Sequence, residues 1–307
     1  MSEDTRPVVV GVDGTQAAMG AARWAAAIAN TFAAPLHIVH AMPDAGHFLS
    51  DVGAAVRAAL IVEQRESAET LLKSVEEAIR AEFGTLNITT AQFDESADNM
   101  FTELSRGARL IVLGCADVSP GAALLLGSTT VAVTTHSSCP VVAWRGEMVA
   151  PTDQPIVLGV DGERTGATAF RTAFELADRL GVTLNAVNAW PSRRSPGGFG
   201  LPYLIDWDAL EAAQWTYILT AVEPCSKEYP SVEVTYFVEP HGASQALLRH
   251  AADSQLVVVG NRGRNLLTGA LLGSTTLNLL HHCPVPVMLC HTANAQSELH
   301  RTKGIES

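Results

Sequence analysis

Lysine is nearly absent from this chain of 307 residues, since it occurs only at Lys73, Lys227 and Lys303. The formal net charge is −12, so neither nucleic acid nor an anionic membrane surface is expected as a partner. Any site that binds an anion must therefore use arginine, backbone amides and the N-termini of helices.

The chain also lacks an apolar run of the roughly 18 residues that would span a bilayer. Residues 1–6 are polar and charged and do not resemble a signal peptide. The five cysteines are irregularly spaced, which argues against a disulfide framework. Hydrophobic residues make up 47% and charged residues 17%, as is typical of a globular protein. We therefore expect a soluble, reduced, cytoplasmic protein.

An internal repeat is the strongest signal that the chain does contain. The segment Pro7–Thr15 (PVVVGVDGT) returns as Pro155–Glu163 (PIVLGVDGE). Continued without a gap to Pro43 and Pro191, the two stretches share 14 identities over 37 positions. Further along, Gly127–Thr130 (GSTT) returns 146 positions later as Gly273–Thr276. Two matched segments at nearly one offset indicate one domain written twice.

The repeat predicts domains at residues 1–146 and 155–307, joined by a linker at 146–154, with a polar tail after about residue 292. In each copy, apolar runs alternate with helical stretches, which predicts an α/β fold. We expect two tandem doubly wound domains, each with a five-stranded, mostly parallel sheet flanked by about four helices. The predicted strands are 8–12, 36–41, 87–93, 110–113 and 141–144, then 156–160, 184–189, 232–238, 256–259 and 287–290. The predicted helices are 16–32, 52–83, 97–107 and a short one after Gly127, then 164–180, 206–228, 242–252 and a short one after Gly273.

Three segments of copy two are predicted to meet beyond the carboxyl ends of the strands, where the strand order reverses. Asp161 ends the first strand, Gly260 and Gly263 follow the fourth, and Gly273 opens a short helix. Glycines let the backbone approach a phosphate closely, and a helix N-terminus favours an anion. We expect the side chains of Ser274, Thr275, Arg262 and Arg264 to bind a phosphate there. The hydroxyl of Ser274 or Thr275 is also expected to cap the short helix.

The spacing G-x2-G-x9-G-[ST] in copy two resembles the ATP-binding signature of the universal stress protein family at every position. The VGVDG first strand is also similar to that family. Because the resemblance covers both copies, the chain resembles a tandem universal stress protein of the actinobacterial type. It implies an adenine-nucleotide α-hydrolase-like fold that binds ATP, with Mg²⁺ as an optional companion. The residues it implies for nucleotide binding are Gly159, Asp161, Ala189, Gly260, Arg262, Gly263, Gly273, Ser274 and Thr275.

Copy one departs from this pattern at three positions, where it lacks two positive charges and gains a negative one. Ala116 and Asp117 replace the arginine and the second glycine of the motif, and Val118 replaces the following arginine. A carboxylate near a phosphate costs on the order of 1–4 kcal/mol, so together with the lost arginines we expect ATP affinity about a thousandfold weaker. The alternative is that Mg²⁺ bridges Asp117 to the phosphates, in which case copy one keeps its nucleotide site. The copy-one residues that remain secondary candidates for nucleotide binding are Asp13, Ala41, Gly114, Gly127, Ser128 and Thr129.

Purely structural roles stay open for several of these residues. Asp13 and Asp161 each precede a glycine, a pair that is common in turns, and the motif glycines can be conformational. His281–Cys283 and Cys290–His291 are separated by two prolines at a spacing that fits no standard zinc site, so no metal site is expected. The chain has no P-loop, nucleophile elbow or zinc-protease motif, so no catalytic residue is expected.

From these observations we expect an ATP-binding regulator of stress response or growth and not an enzyme. The alternatives are a nucleotide-independent interaction scaffold of the same family and a slow ATPase. The resemblance further suggests that the two copies pair through their last strands, 141–144 and 287–290, since each leaves an unpaired sheet edge. A homodimer of the whole chain is expected as well.

Overall fold

The structure is a computed structural model that describes residues 4–42, 54–115, 127–161, 165–190, 206–261 and 272–291. The chain divides into two compact units, Met1–Pro151 (unit 1) and Thr152–Ser307 (unit 2). Each unit is an α/β domain built on a parallel sheet, which confirms the predicted fold class. Among the described helices, none is both long and apolar enough to cross a membrane.

Unit 1 contains a five-stranded parallel sheet with the strand order β3-β2-β1-β4-β5. The order reverses beside β1, so the carboxyl ends of β1 and β4 lie at the point where ligands bind in open α/β sheets. Its described elements are β1 (Val8–Gly11), α1 (Gln16–Thr31), β2 (Leu36–Ala41), α2 (Ala54–Glu82), β3 (Ile88–Phe93), α3 (Ala97–Leu104), β4 (Leu110–Gly114), α4 (Ser128–His136) and β5 (Val141–Trp144).

Unit 2 has the same topology, with the strand order β8-β7-β6-β9-β10 and parallel pairing throughout. The carboxyl ends of β6 and β9 therefore lie at its point of reversal. Its described elements are β6 (Ile156–Val160), α5 (Gly166–Leu180), β7 (Leu184–Ala189), α6 (Trp207–Glu228), β8 (Val234–Glu239), α7 (Ala243–Ala251), β9 (Leu256–Asn261), α8 (Ser274–His282) and β10 (Val287–His291).

The central strands are covered on both faces, as their continuous apolar runs predicted. The side chains of Val8–Val10 and Ile156–Leu158 are each at most 1% exposed. Burial of one such side chain stabilises the fold by about 1.5–3 kcal/mol. A strand buried on both faces carries apolar residues at every position, whereas a half-exposed strand alternates.

The predicted boundaries differ from the structure by a few residues at the ends of elements. Val12 lies beyond β1, although its amide still donates to the carbonyl of Val39 at 2.9 Å. Helix α3 ends at Leu104 and not near 107, because residues 105–107 form a turn. Strand β8 begins at Val234 and not at Val232. These shifts are of the size usual for fraying termini.

Equivalent positions in the two units hold the chain segment that enters each unit. In unit 1, Arg109 donates to the carbonyl of Asp4 at 3.0 Å and stacks 4.0 Å from the centre of the Phe32 ring. In unit 2, Gln255 accepts from the amide of Thr152 at 2.9 Å and donates to its carbonyl at 2.8 Å. The guanidinium of Arg109 and the amide of Gln255, which are 146 positions apart, thus each bind the backbone at the start of their unit.

The last strand of unit 1 packs against its first helix through Trp144. A Cβ atom added at Gly20 would lie 2.2 Å from the indole ring, so α1 requires glycine at this position. The indole nitrogen donates to the carbonyl of Met148 at 2.9 Å. Trp144 therefore holds both α1 and the residues that follow β5.

Candidate functional site

In unit 2, a cavity of about 120 Å³ opens at the carboxyl ends of β6 and β9. Strands β6, β7 and β9 and the first turns of α7 and α8 supply its walls. Segments that are up to about 115 positions apart in the chain therefore meet at one edge of the sheet. The predicted nucleotide residues that line the cavity are Gly159, Asp161, Ala189, Gly260, Gly273, Ser274 and Thr275.

Two predicted members of this set, Arg262 and Gly263, lie outside the described residues, as does Arg264. The described cavity therefore contains the backbone and hydroxyl part of the predicted phosphate site. The guanidinium part stays a prediction from the sequence. The same holds in unit 1 for Ala116, Asp117 and Val118, which also fall outside the described residues.

The inner wall of the unit 2 cavity is apolar. It is formed in part by Val187, Leu247 and Val259. A Cβ atom at Gly159 would lie 3.0 Å from a methyl group of Val259 and 3.3 Å from Leu247, so glycine at this position keeps the wall open. Leu247 was not predicted from the sequence. It could have been found by extending the 146-residue offset to α7, where it corresponds to Phe101.

A buried threonine fixes the backbone around Asp161. The hydroxyl of Thr165, which is 2% exposed, accepts from the amide of Asp161 at 2.7 Å and faces the carbonyl of Gly159 at 3.4 Å. The side chain of Asp161 lies exposed at the rim of the cavity. Thr165 was missed because its position gives no periodic signal, and unit 1 has Ala17 in its place.

The prediction that Ser274 or Thr275 caps α8 is wrong. The N-cap is Gly273, whose backbone is extended (φ −69°, ψ 154°), and no side chain accepts a hydrogen bond at this cap. A glycine cap leaves the first-turn amides without a side-chain acceptor. Gly273, Ser274 and Thr275 line the cavity at this helix N-terminus, and helix N-termini favour anions.

Unit 1 has a matching cavity of about 310 Å³ at the carboxyl ends of β1 and β4. It is larger than its counterpart, so lack of space does not distinguish unit 1 from unit 2. Ser128, although predicted, is exposed and is not among the residues that line it. The predicted residues that do line it are Asp13, Ala41, Gly114, Gly127 and Thr129.

Asp13 forms a turn in unit 1. Its Oδ1 accepts from the amide of Thr15 at 3.0 Å and from the Thr15 hydroxyl at 2.6 Å. Gly14 between them has a φ of +84°, a conformation that favours glycine. Thr15 in turn caps α1 by accepting from the amide of Ala18 at 3.1 Å. The turn-forming role that the sequence left open for Asp13 therefore has direct structural support.

The second strand of each unit holds the end of the first strand through a side chain that the sequence did not single out. His40 Nδ1 lies 2.7 Å from the carbonyl of Val12, and because a carbonyl only accepts, Nδ1 carries the proton. In unit 2, Asn188 Nδ2 donates to the carbonyl of Val160 at 2.9 Å. Both bonds position the residue that precedes the rim aspartate.

Cysteine chemistry is unfavourable in the described part of the molecule. Burial raises the pKa of Cys115, which lies beside the unit 1 cavity, and raises the pKa of Cys139 to about 12. Such thiols are not nucleophiles near neutral pH. All five cysteines are described and none forms a disulfide. Within the described ranges, no group of three or more His, Cys, Asp or Glu side chains is arranged to hold a metal ion.

A charged cluster lies at the end of β8, next to the helix that lines the unit 2 cavity. Glu239 accepts from Arg249 at 2.8 Å and from His250 at 3.0 Å, and His250 also packs on Phe237. Burial raises the pKa of Glu239, but the His250 hydrogen bond and the charges of Arg249, His250 and His241 outweigh it, so the pKa is lowered overall.

We expect Glu239→Gln to destabilise unit 2 by about 1–2 kcal/mol near pH 7. A carboxylate with a lowered pKa stabilises the folded state above its unfolded pKa, and this contribution is lost as the pH falls through the folded pKa. The difference between variant and wild type should therefore persist at the ordinary pKa of a glutamate and disappear only at lower pH, where Glu239 is protonated in the folded state. Hydrogen exchange of the β8 amides measures it, with the exposed Glu233→Gln as the matched control. A pH-independent difference would contradict this account.

The sequence places the chain in a known family. The model of the universal stress protein family matches residues 5–145 and again 154–291. A universal stress protein of Mycolicibacterium smegmatis is 30% identical over 287 residues, which cover 92% of this chain and 96% of that relative. The chain therefore belongs to the universal stress protein family, in its tandem form.

A solved structure of the family has the same fold. A universal stress protein from Archaeoglobus fulgidus superposes with a TM-score of 0.69 at 17% identity, and the match covers 96% of this chain and all of that one. Another universal stress protein structure from that organism, a complex with dAMP, covers 44% of this chain and 94% of its own at 23% identity and a TM-score of 0.33.

Proposed function

We propose that the chain is an ATP-binding regulator whose nucleotide site is the cavity of unit 2. The observation that carries this proposal is the convergence of an apolar wall, a rim carboxylate and an uncapped helix N-terminus at the reversal point of one sheet. These three surfaces suit a base, a ribose and a phosphate chain in that order.

Each part of the ligand has a matching part of the cavity. The adenine ring would lie against Val187, Leu247 and Ala189, where the wall is apolar. The ribose hydroxyls would donate to Asp161 at the rim. The phosphates would face the glycine backbone, the amides of α8 and its hydroxyls. The residues proposed for that last contact are Gly260, Arg262, Gly263, Gly273, Ser274 and Thr275, and Mg²⁺ would accompany the phosphates as a counter-ion.

We propose binding without efficient turnover. The described residues that line the unit 2 cavity include one carboxylate, Asp161, and no histidine, cysteine or lysine that could serve as a general base. A regulator of this kind would act through the difference between its ATP-bound and ATP-free states. We place it in the cytoplasm because none of its cysteines forms a disulfide. Pairing through the last strands and homodimerisation stay predictions.

The test is whether protein purified without added ligand releases adenine nucleotide on denaturation. We expect that it does, and that ATP at a hundred times its dissociation constant stabilises the stripped protein by about 2.7 kcal/mol. This corresponds to a thermal shift of several degrees in differential scanning fluorimetry. Guanosine triphosphate serves as the control ligand. Absence of released nucleotide together with no thermal shift would leave the scaffold alternative, and rapid phosphate release would favour the ATPase.

A further inference from the structure

We propose that unit 2 pairs with unit 2 of a second copy of this chain, through the open edge of β8 and the adjoining side of α6. This pairing does not depend on nucleotide binding, because neither surface lines either of the two cavities. It gives a defined surface to the homodimer that the sequence leads us to expect.

Strand β8 lies at one end of the strand order of unit 2, and among the described residues only β7 pairs with it. The carbonyls of Glu233 and Glu239 accept from amides at the start of β7 and just after its end, at 2.9 and 3.1 Å. Because backbone groups alternate along a strand, those of Val234, Tyr236 and Val238 point to the open side. An open edge of this kind is a template for pairing with another chain.

Unit 1 has the corresponding edge at β3, but there a side chain of the neighbouring helix binds to it. Arg80 of α2 donates to the carbonyl of Ile88 at 3.4 Å. The ends of α2 and α6 are 146 positions apart, and so are the starts of β3 and β8. Ser226 therefore stands in place of Arg80, and Val234 in place of Ile88. The Ser226 hydroxyl has no hydrogen-bond partner among the described residues, so α6 leaves the edge of β8 open.

The stripe of the helix that contains Arg80 is charged in unit 1 and lacks charge in unit 2. Positions 4, 7 and 11 residues apart share one side of a helix. Trp215 and Leu219 on this stripe are 39% and 49% exposed, and residues 212–222 contain no charged side chain. Because α6 packs on β8, an exposed apolar surface lies beside the open edge. The residues of the stripe are Glu69, Lys73, Glu76 and Arg80 in α2, and Trp215, Leu219, Val222 and Ser226 in α6.

A second copy of unit 2 fits this surface by symmetry. Antiparallel pairing of β8 about a two-fold axis at Tyr236 places Val234 opposite Val238 of the second copy. All three outward residues then exchange backbone hydrogen bonds. The two α6 helices lie side by side on one face of the joined sheet, with Trp215 and Leu219 buried between them. The same pairing in unit 1 would bring the charged stripe of α2 against its own copy.

The strand edge and the helix stripe match in length. The six residues of β8 span about 20 Å, and residues 212–222 of α6 span about 16 Å. A standard interface buries about 800 Å² per partner, which a strand edge together with a helix side approaches and a strand edge alone does not. The pairing brings Glu233 opposite Glu239 of the second copy. Because Glu239 already pairs with Arg249 and His250, these like charges are offset.

The experiment is sedimentation velocity of the full chain between about 1 and 100 µM. We expect the wild type to dimerise. Trp215→Glu combined with Leu219→Lys gives α6 the residue types of α2 and leaves the net charge unchanged, and it should weaken the dimer by about a hundredfold or more. The matched control is Val56→Glu combined with Leu60→Lys, which makes the same change at exposed side chains of α2 and should leave the dimer intact.

A wild type that stays monomeric over this range would overturn the proposal and leave the surface to a different protein. A dimer that survives the change in α6, or that dissociates equally with the control, would overturn it too. Should the α6 variant fail to fold, hydrogen exchange of the wild type decides. The amides of Val234, Tyr236 and Val238 should exchange more slowly as the concentration rises, whereas the outward amides of β3 should not. Equal behaviour of the two strands would contradict pairing through β8.

Discussion

Gly263→Asp will lower the affinity of the chain for ATP by about ten- to a few-hundredfold, because a carboxylate then lies near the phosphates while both arginines of the motif remain. The change gives unit 2 the residue that unit 1 carries as Asp117. A carboxylate a few ångströms from a phosphate costs on the order of 1–4 kcal/mol at intermediate dielectric. Calorimetry on the stripped variant measures the loss, and the thermal shift with ATP should vanish with it.

The converse change tests the same positions in unit 1. Ala116→Arg combined with Asp117→Gly should raise the number of ATP molecules bound per chain from one to two. Gly107→Asp adds a carboxylate to unit 1 where a Cβ atom would meet nothing within 4 Å, and it should leave ATP binding unchanged. If Gly263→Asp still binds ATP as the wild type does, these positions do not cause the asymmetry between the units.

Gly114→Ala will destabilise unit 1 by about 3 kcal/mol, because the added methyl group has no space. A Cβ atom at Gly114 would lie 2.6 Å from the carbonyl carbon and oxygen of Ala17 and 2.7 Å from the amide of Ala18. These are backbone atoms at the start of α1, so they move only if the helix moves. Hydrogen exchange of the β1 and β4 amides reports the loss for unit 1 separately from unit 2.

Gly107→Ala is the matched control, and it should change the free energy of unfolding by less than about 0.5 kcal/mol. Both substitutions add one methyl group to a glycine in unit 1. They differ in the distance to the nearest atoms. Equal stability of the two variants would show that α1 is able to move away from β4 at little cost.

Much of the fold could be predicted because its signals are local. Continuous apolar runs such as Val8–Val10 identify strands buried on both faces, and the repeat shows each element twice. The ends of elements were less accurate, since the turn after Leu104 and the end of β1 depend on hydrogen bonds that periodicity does not encode. Val12, for example, keeps its sheet bond to Val39 although it lies outside the strand.

The candidate site was predicted where glycines and polar residues follow strands, and missed where packing brings in other elements. Leu247 and Thr165 reach the site through the placement of α7 and α5, which no local pattern specifies. The cap of α8 was predicted wrongly because serine after glycine resembles a cap, whereas the extended backbone at Gly273 makes glycine the cap.

The hydrogen bonds of Trp144 and Gln255 also redefine the segment that joins the two units. Composition suggests a nine-residue connection at 146–154. Yet the Trp144 indole is hydrogen-bonded to Met148 at one end of this segment, and the Gln255 amide is hydrogen-bonded to Thr152 at the other. The span between these two tethers is Val149, Ala150 and Pro151, one of them a residue with a locked φ. An engineered insertion meant to lengthen this connection belongs at Ala150, because an insertion elsewhere in 146–154 would disturb the hydrogen bonds at Met148 or Thr152.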